Sequence, residues 1–125
     1  MWRLSFILMK IAIIGSRELP EEWVYPRLGF LTYDSNKGNT VISGGAIGVD
    51  TWVESFCLSY NIPIEIIRPI NPANKIDYLY RNVEIITKAD KIIAFWDGKS
   101  KGTKFVIDYA KARNKEVEVI IKDGK

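Results

Sequence analysis

The chain of 125 residues has the length of one ordinary domain and carries a formal net charge of +3. Hydrophobic residues make up 47% and charged residues 26%, a composition typical of a folded globular protein. One cysteine and no histidine exclude an internal disulfide, a histidine general base and a Ser-His-Asp triad. Any catalysis must therefore use carboxylates, lysine, arginine, tyrosine, hydroxyls or backbone dipoles. We expect no metal site and no cofactor.

The apolar N-terminus does not resemble a secretory signal. Residues Met1–Leu8 run directly into the Ile-rich stretch Lys10–Ile14, with no small-residue cleavage site and no membrane-spanning length. Met9 is a candidate start, and residues 1–8 are a candidate extension. In that extension, Trp2–Leu8 would add an edge strand or supply the interface of a homodimer or higher homo-oligomer. We expect a single domain over the whole chain, in a cytoplasmic protein without membrane contact.

Strand and helix patterns alternate along the chain. Short apolar stretches predict five buried strands, at Lys10–Ile14, Thr40–Ser43, Ile64–Arg68, Lys91–Trp96 and Val117–Ile121. Apolar residues at helical spacing predict helices at Gly48–Tyr60, Lys75–Lys88, Lys104–Asn114 and, interrupted by Pro26, Glu18–Thr32. Apolar strands separated by helices predict an α/β domain of Rossmann-like type. Its sheet would be five-stranded, mainly parallel and covered by helices on both faces.

In such a sheet the loops that follow the strands meet at one edge, and ligands bind there where strand order reverses. Three of these loops are rich in glycine and hydroxyl side chains, and two of them open predicted helices, whose free N–H groups bind anions. We therefore expect phosphate to contact Gly15, Ser16, Arg17, Ser43, Gly44, Gly45, Ala46, Gly48, Gly98, Ser100, Lys101, Gly102 and Thr103. A Walker A motif is absent, and so is the dinucleotide glycine fingerprint.

Several stretches resemble the SLOG superfamily and occur in its order: Ile11–Arg17, Ile42–Asp50, Arg81–Asn82, Ala89–Gly98 and Gly102–Thr103. This superfamily includes the DNA-processing protein DprA (Smf) and the LOG phosphoribohydrolases, and the likeness is greatest to its small YspA-like members. The resemblance implies a Rossmann-like fold that binds a nucleotide or its derivative, with Gly44, Gly45, Gly48, Gly102 and Thr103 around the phosphate. Asp50, Arg81 and Asn82 complete the candidate ligand-binding residues.

Our leading hypothesis is the binding or sensing of a nucleotide-derived small molecule through the Gly-rich loops. Arg17 and Arg81 would add charge-assisted hydrogen bonds. The first alternative is a LOG-type nucleotide N-glycoside hydrolase, with Arg81 and Asp50 as its catalytic residues. LOG enzymes carry a glutamate just after their Gly-Thr pair, whereas Lys104 follows Thr103 here. The missing carboxylate counts against this alternative. Asp97 and Asp108 are further candidates for its role, and nothing in the spacing favours one of the three aspartates.

The second alternative is a DprA-like binder of single-stranded DNA. Lys99, Lys101 and Lys104 would contact phosphates, and Trp96 or Tyr109 would stack on bases. The net charge is modest for a dedicated nucleic-acid binder, so this hypothesis ranks third.

Overall fold

The computed structural model describes residues 8–122, which contain a five-stranded, fully parallel sheet in the order β3-β2-β1-β4-β5. The strands are β1 (Lys10–Gly15), β2 (Thr40–Ser43), β3 (Ile64–Ile66), β4 (Lys91–Trp96) and β5 (Glu116–Ile121). The helices are α1 (Glu21–Val24), α2 (Val49–Ser59), α3 (Lys75–Lys88) and α4 (Lys101–Ala112). Two 3-10 segments cover Tyr25–Thr32 and Asp34–Asn36. Strand order reverses between β1 and β4, and the expected α/β fold of Rossmann-like type is confirmed.

Side chains of β1 alternate between two apolar cores, one on each face of the sheet. Ile11 and Ile13 are buried with side chains of α2 and the first 3-10 segment. Ala12 and Ile14 are buried on the other face, among side chains of α3 and α4. This two-sided burial explains why the strand is apolar throughout, and it confirms the prediction of helices on both faces.

Three predicted elements, the first and last helices and the third strand, begin or end more than one residue away from their bounds in the structure. The predicted helix Glu18–Thr32 is α-helical only in its first part and continues as a 3-10 segment that contains Pro26, which has no N–H to donate. The third strand stops at Ile66, where its pairing with β2 ends, and not at Arg68. These changes leave the order of the elements as predicted.

Helix α4 begins at Lys101, three residues before the predicted start at Lys104. Ser100 is its N-cap, and the Ser100 hydroxyl accepts a hydrogen bond from the Thr103 N–H at 3.3 Å. Glycine is a poor helix former, but the capping serine two residues before Gly102 outweighs it and moves the start of the helix forward. Gly102 and Thr103 therefore lie in the first turn of the helix and not in the preceding loop.

The expected edge strand or interface formed by Trp2–Leu8 falls almost entirely outside the described residues. Within residues 8–122, none of the helices is both long enough and apolar enough to cross a lipid bilayer.

Candidate functional site

A cavity of about 760 Å³ opens at the carboxyl edge of the sheet, where strand order reverses. The loops after β1, β2 and β4 and one face of α3 line it together. Of the predicted site residues, those that line this cavity are Gly15, Arg17, Gly44, Ala46, Asp50, Arg81, Asn82, Ser100, Gly102 and Thr103. The fold thus brings together residues from opposite ends of the chain.

Ser16 joins the loop after β1 to the loop after β4. Its side chain is buried, and its hydroxyl accepts the Asp97 N–H at 3.2 Å and lies 3.4 Å from the Thr103 hydroxyl. The residue before Ser16 is a glycine, Gly15, because a side chain does not fit at that position. A Cβ there would lie 2.6 Å from Val49 Cγ2. Ser16 therefore supports the cavity from behind, while the exposed Arg17 lines it.

The loop between β2 and α2 passes close to a buried arginine. A Cβ on Gly44 would lie 2.6 Å from Arg81 Nη1 and 3.1 Å from Asp50 Oδ2, so a side chain there would require the Arg81 guanidinium to move. Gly45 has a φ of 70°, a left-handed conformation that favours glycine. The buried Ser43 hydroxyl accepts the Gly45 N–H at 3.4 Å. This loop therefore favours glycine for two reasons: the close packing around Gly44 and the positive φ of Gly45.

Asp50 and Arg81 form the floor of the cavity, with exposed fractions of only 7% and 9%. Asp50 Oδ2 accepts the Ala46 N–H at 3.0 Å. Arg81 Nη1 donates to the Gly44 carbonyl, and Arg81 Nε donates to Asn82 Oδ1 at 2.8 Å. Burial raises the pKa of Asp50 to about 6, against the lowering effects of the Ala46 N–H and of the Arg81 charge. Burial also lowers the pKa of Arg81.

Asp97 organises the loop that leads into α4. Its Oδ1 accepts the N–H groups of Lys99 and Ser100, each at 2.8 Å. Desolvation raises the pKa of the Asp97 carboxyl, but hydrogen bonds from the Ser100 and Lys99 N–H groups outweigh this effect and hold the pKa below its usual value. Trp96 anchors the same loop, because its indole N–H donates to the Ser100 carbonyl at 3.0 Å. The positive end of α4 is thereby held against the cavity.

A second cavity of about 430 Å³ adjoins the first and shares Arg17, Ala46 and Arg81 with it. Gly45 lines this second cavity, together with the exposed side chains of Ile47 and Ile70. The two cavities form one extended surface, which we call the crevice and define by the residues that line either of them.

Five predicted site residues do not line the crevice. Ser16 and Ser43 are buried behind it, and Gly48 begins α2 against the backbone of Arg17. Gly98 and Lys101 are exposed outside it. Their direct contact with a ligand stays a prediction that this geometry does not favour.

Trp96 and Tyr109, the side chains considered for base stacking, do not line the crevice either. Tyr109 packs against Phe105 along α4, with ring centroids 5.6 Å apart. An aromatic side chain that does line the crevice is Tyr78, which lies within the predicted helix Lys75–Lys88.

Tyr78 and Arg68 are site residues that sequence interpretation missed. Tyr78 lies one helical turn before Arg81, so their shared face of α3 was a usable signal. Arg68 follows β3, so the rule that ligands bind beyond the carboxyl ends of parallel strands applied to it as well. It was assigned to the strand itself, although its side chain lines the crevice and donates to the Gly45 carbonyl at 3.1 Å.

An open parallel sheet with a crevice at its switch point defines a Rossmann-like protein, a class in which ligands bind at this edge of the sheet. The family model for DNA recombination-mediator protein A matches residues 4–67, about half of the chain. The chain therefore belongs to the DNA recombination-mediator protein A family, and the resemblance to the SLOG superfamily is confirmed because DprA proteins are members of it. Comparison with curated proteins gives no match.

Two solved structures share the fold. DNA processing protein A (DprA) from Streptococcus pneumoniae superposes with a TM-score of 0.75 at 16% identity, over 91% of this chain and 50% of that chain. DNA processing protein A from Helicobacter pylori, from a study of its single-stranded DNA binding mode, superposes with a TM-score of 0.71 at 23% identity. That match covers 89% of this chain and 64% of the other. This chain thus spans between half and two thirds of the length of these two proteins.

Proposed function

We propose that the crevice binds single-stranded DNA, which we had ranked third from the sequence. The observation that carries this proposal is the continuity of the two cavities through Arg17, because a strand needs a path longer than one nucleotide. Family membership supports it, as does the single-stranded DNA binding named for the H. pylori protein. The expected cytoplasmic location and homo-oligomer remain predictions.

Basic side chains are spaced along the crevice. Lys99 lines the first cavity near the start of α4, Arg17 lines both cavities, and Arg68 lines the second. Phosphate groups of a strand would approach these cations and the positive end of α4. Asp97 and Glu18 also line the crevice, and Asp97 Oδ1 accepts two N–H groups of its own loop.

Apolar side chains line the crevice together with these cations. Tyr78 lines both cavities, and Ile47 and Ile70 are exposed beside the second. Aromatic side chains stack on bases whatever the identity of the base. A crevice lined by both cations and apolar side chains suits a strand whose phosphates and bases both contact the protein.

Arg17→Ala tests the proposal. We expect about tenfold weaker binding of a fluorescein-labelled oligodeoxythymidylate, because a charge-assisted hydrogen bond to phosphate is lost. The slope of log affinity against log salt concentration should fall by about 0.7 for the one lost phosphate contact. Lys111→Ala is the matched control, because it removes the same charge from the exposed last turn of α4, at the other end of that helix. Equal losses in both variants would contradict a localised site.

The two helix caps offer a second test. Ser100→Ala and Asn74→Ala each remove an N-cap side chain, from α4 and α3 respectively, and each should cost about 1 kcal/mol of the free energy of unfolding. Only Ser100 lines the crevice, so only its variant should also weaken oligonucleotide binding in a fluorescence anisotropy titration. Weakening by Asn74→Ala to the same extent would show that the effect is one of stability alone.

A nucleotide-derived small molecule is the second candidate, because a cavity of about 760 Å³ falls within the usual size range of small-molecule sites. A thermal-shift screen with mononucleotides, NAD and ADP-ribose tests it, since a ligand of the folded state raises the melting temperature. Stabilisation by one of these compounds and by no oligonucleotide would favour this candidate. Release of free base, detected by mass spectrometry, would favour the N-glycoside hydrolase.

A further inference from the structure

A third cavity, of about 390 Å³, lies at the edge of the sheet opposite to the crevice. Asn39 and Pro63, the residues immediately before β2 and β3, line it, so it lies beside the amino ends of the strands. The rings of Tyr33 and Tyr60 also line it, with exposed fractions of 62% and 55%. We call this cavity the amino-edge groove and define it by its lining residues, 31–34, 36–39 and 60–63. It offers apolar and aromatic surface that no other part of residues 8–122 covers.

The chain enters β1 along the wall of this groove. Asn39 is buried, and its Oδ1 accepts the Met9 N–H at 2.9 Å, which holds the residue before the strand against the lining. Leu8 lies against the adjacent turn, because a Cβ on Gly38 would lie 2.9 Å from Leu8 Cδ2. Gly38 itself lines the groove. The segment that precedes Leu8 in the sequence therefore starts at the rim of the groove.

Residues 1–7 are rich in large apolar side chains. Trp2, Leu4 and Phe6 occupy alternate positions in the sequence, with polar residues between them. Alternate residues of an extended chain share one face, so an extended segment would present these side chains on the same face as Leu8. Seven residues reach at most about 25 Å from Leu8, so the groove lies within their reach. Exposure of so much apolar surface to water is unfavourable, and the groove offers apolar surface at the point where the segment begins.

We propose that the amino-edge groove is a docking site whose occupant is the chain's own residues 1–7. The apolar face of the segment packs against the rings of Tyr33 and Tyr60, and Leu8 sets the point at which the segment enters. The short connection through Leu8 favours this occupant over a second copy of the chain, because it raises the effective concentration of the segment at the groove. The groove and the crevice lie at opposite edges of the sheet, so this docking site does not depend on the proposed function.

Cysteine alkylation measures whether the groove is covered. Thr32→Cys places a thiol at an exposed position of the lining. Ser35→Cys is the matched control, because it places a thiol at an exposed position three residues away that does not line the groove. The native Cys57 is buried and is the same in every variant. Each thiol is introduced into the full chain and into a chain that also carries Leu4→Ser and Phe6→Ser, which remove apolar side chains from the segment and keep its connection.

The thiol of Thr32→Cys should react with iodoacetamide about tenfold more slowly in the full chain than in the chain with the two serines, because a docked segment must first leave the groove. The thiol of Ser35→Cys should react at the same rate in both chains. A chain that begins at Met9 is the second comparison, and its Thr32→Cys thiol should react at the fast rate.

Equal rates for Thr32→Cys in the full chain and in both comparison chains would overturn the proposal, since the groove would then be uncovered. An equal slowing of Ser35→Cys would do the same, because the protection would not be confined to the groove. Protection that is present at about 100 µM protein and lost at about 1 µM would assign the groove to a second copy and so contradict an intramolecular occupant, whose docking does not depend on protein concentration.

Discussion

Replacing Gly48 with alanine is expected to lower the free energy of unfolding by about 4 kcal/mol. Gly48 has a φ of 83° and a ψ of −129°, a conformation that residues with a Cβ rarely adopt. A Cβ there would lie 2.5 Å from the Arg17 carbonyl oxygen and 2.6 Å from the Arg17 Cα. Both neighbours are backbone atoms, so no side-chain rotation relieves the contact. Either the start of α2 or the loop after β1 must shift.

The measurement is urea denaturation followed by circular dichroism, with Gly102→Ala as the control. Gly102 lies in the first turn of α4, and a Cβ there would meet nothing within 4 Å. Alanine at this position should stabilise the helix by up to about 1 kcal/mol. The two substitutions are therefore expected to change the free energy of unfolding in opposite directions. A loss of stability in both variants would contradict the role assigned to the Gly48 conformation.

Asp50→Asn is expected to raise the free energy of unfolding by about 3 kcal/mol at pH 8. Burial raises the pKa of Asp50 to about 6, roughly two units above that of an unfolded aspartate. The folded protein therefore holds a proton that the unfolded chain has lost between pH 4 and 6. Stability contributed by this group falls as pH rises through that window, and above pH 6 the ionised carboxylate is a net cost. Asparagine removes the charge and keeps the acceptor for the Ala46 N–H.

Urea titrations at pH 4, 6 and 8 check this prediction. The difference between the variant and the wild-type protein should be largest at pH 8 and should nearly vanish at pH 4. Two charged groups act on the same carboxyl: Arg81 from α3 lowers its pKa and Glu54 from α2 raises it, so Glu54→Gln should give a smaller gain. A variant that is less stable than wild type at pH 8 would show that the Arg81 charge outweighs desolvation.

Groups kept at a cost to stability concentrate at functional sites. The buried Asp50 carboxylate, with one oxygen unpaired, is such a group in this molecule.

Apolar periodicity alone was enough to predict the fold. Strands buried on both faces, such as β1 and β4, are continuously apolar, and α3 shows helical spacing from its first to its last residue. The Gly-rich stretches after β1 and β2 then predicted a binding site at the carboxyl edge of the sheet, because the loops that follow parallel strands meet at that edge. These features are local in sequence, and the fold can be read from them.

The contacts that define the site come from residues far apart in the chain. Arg81 reaches Gly44 across the sheet edge, and Ser16 meets Thr103. Arg68 turns into the crevice because β3 ends two residues before it. Local pattern carries no information on which side chains of separate loops meet, or on which acceptor is left without a donor. The sequence by itself therefore determined the layers of this protein and the sheet edge at which the crevice lies. Only the tertiary structure decided that Asp50 and Arg81 are buried side by side at the floor of the crevice. Their burial depends on contacts between elements that are far apart in the sequence.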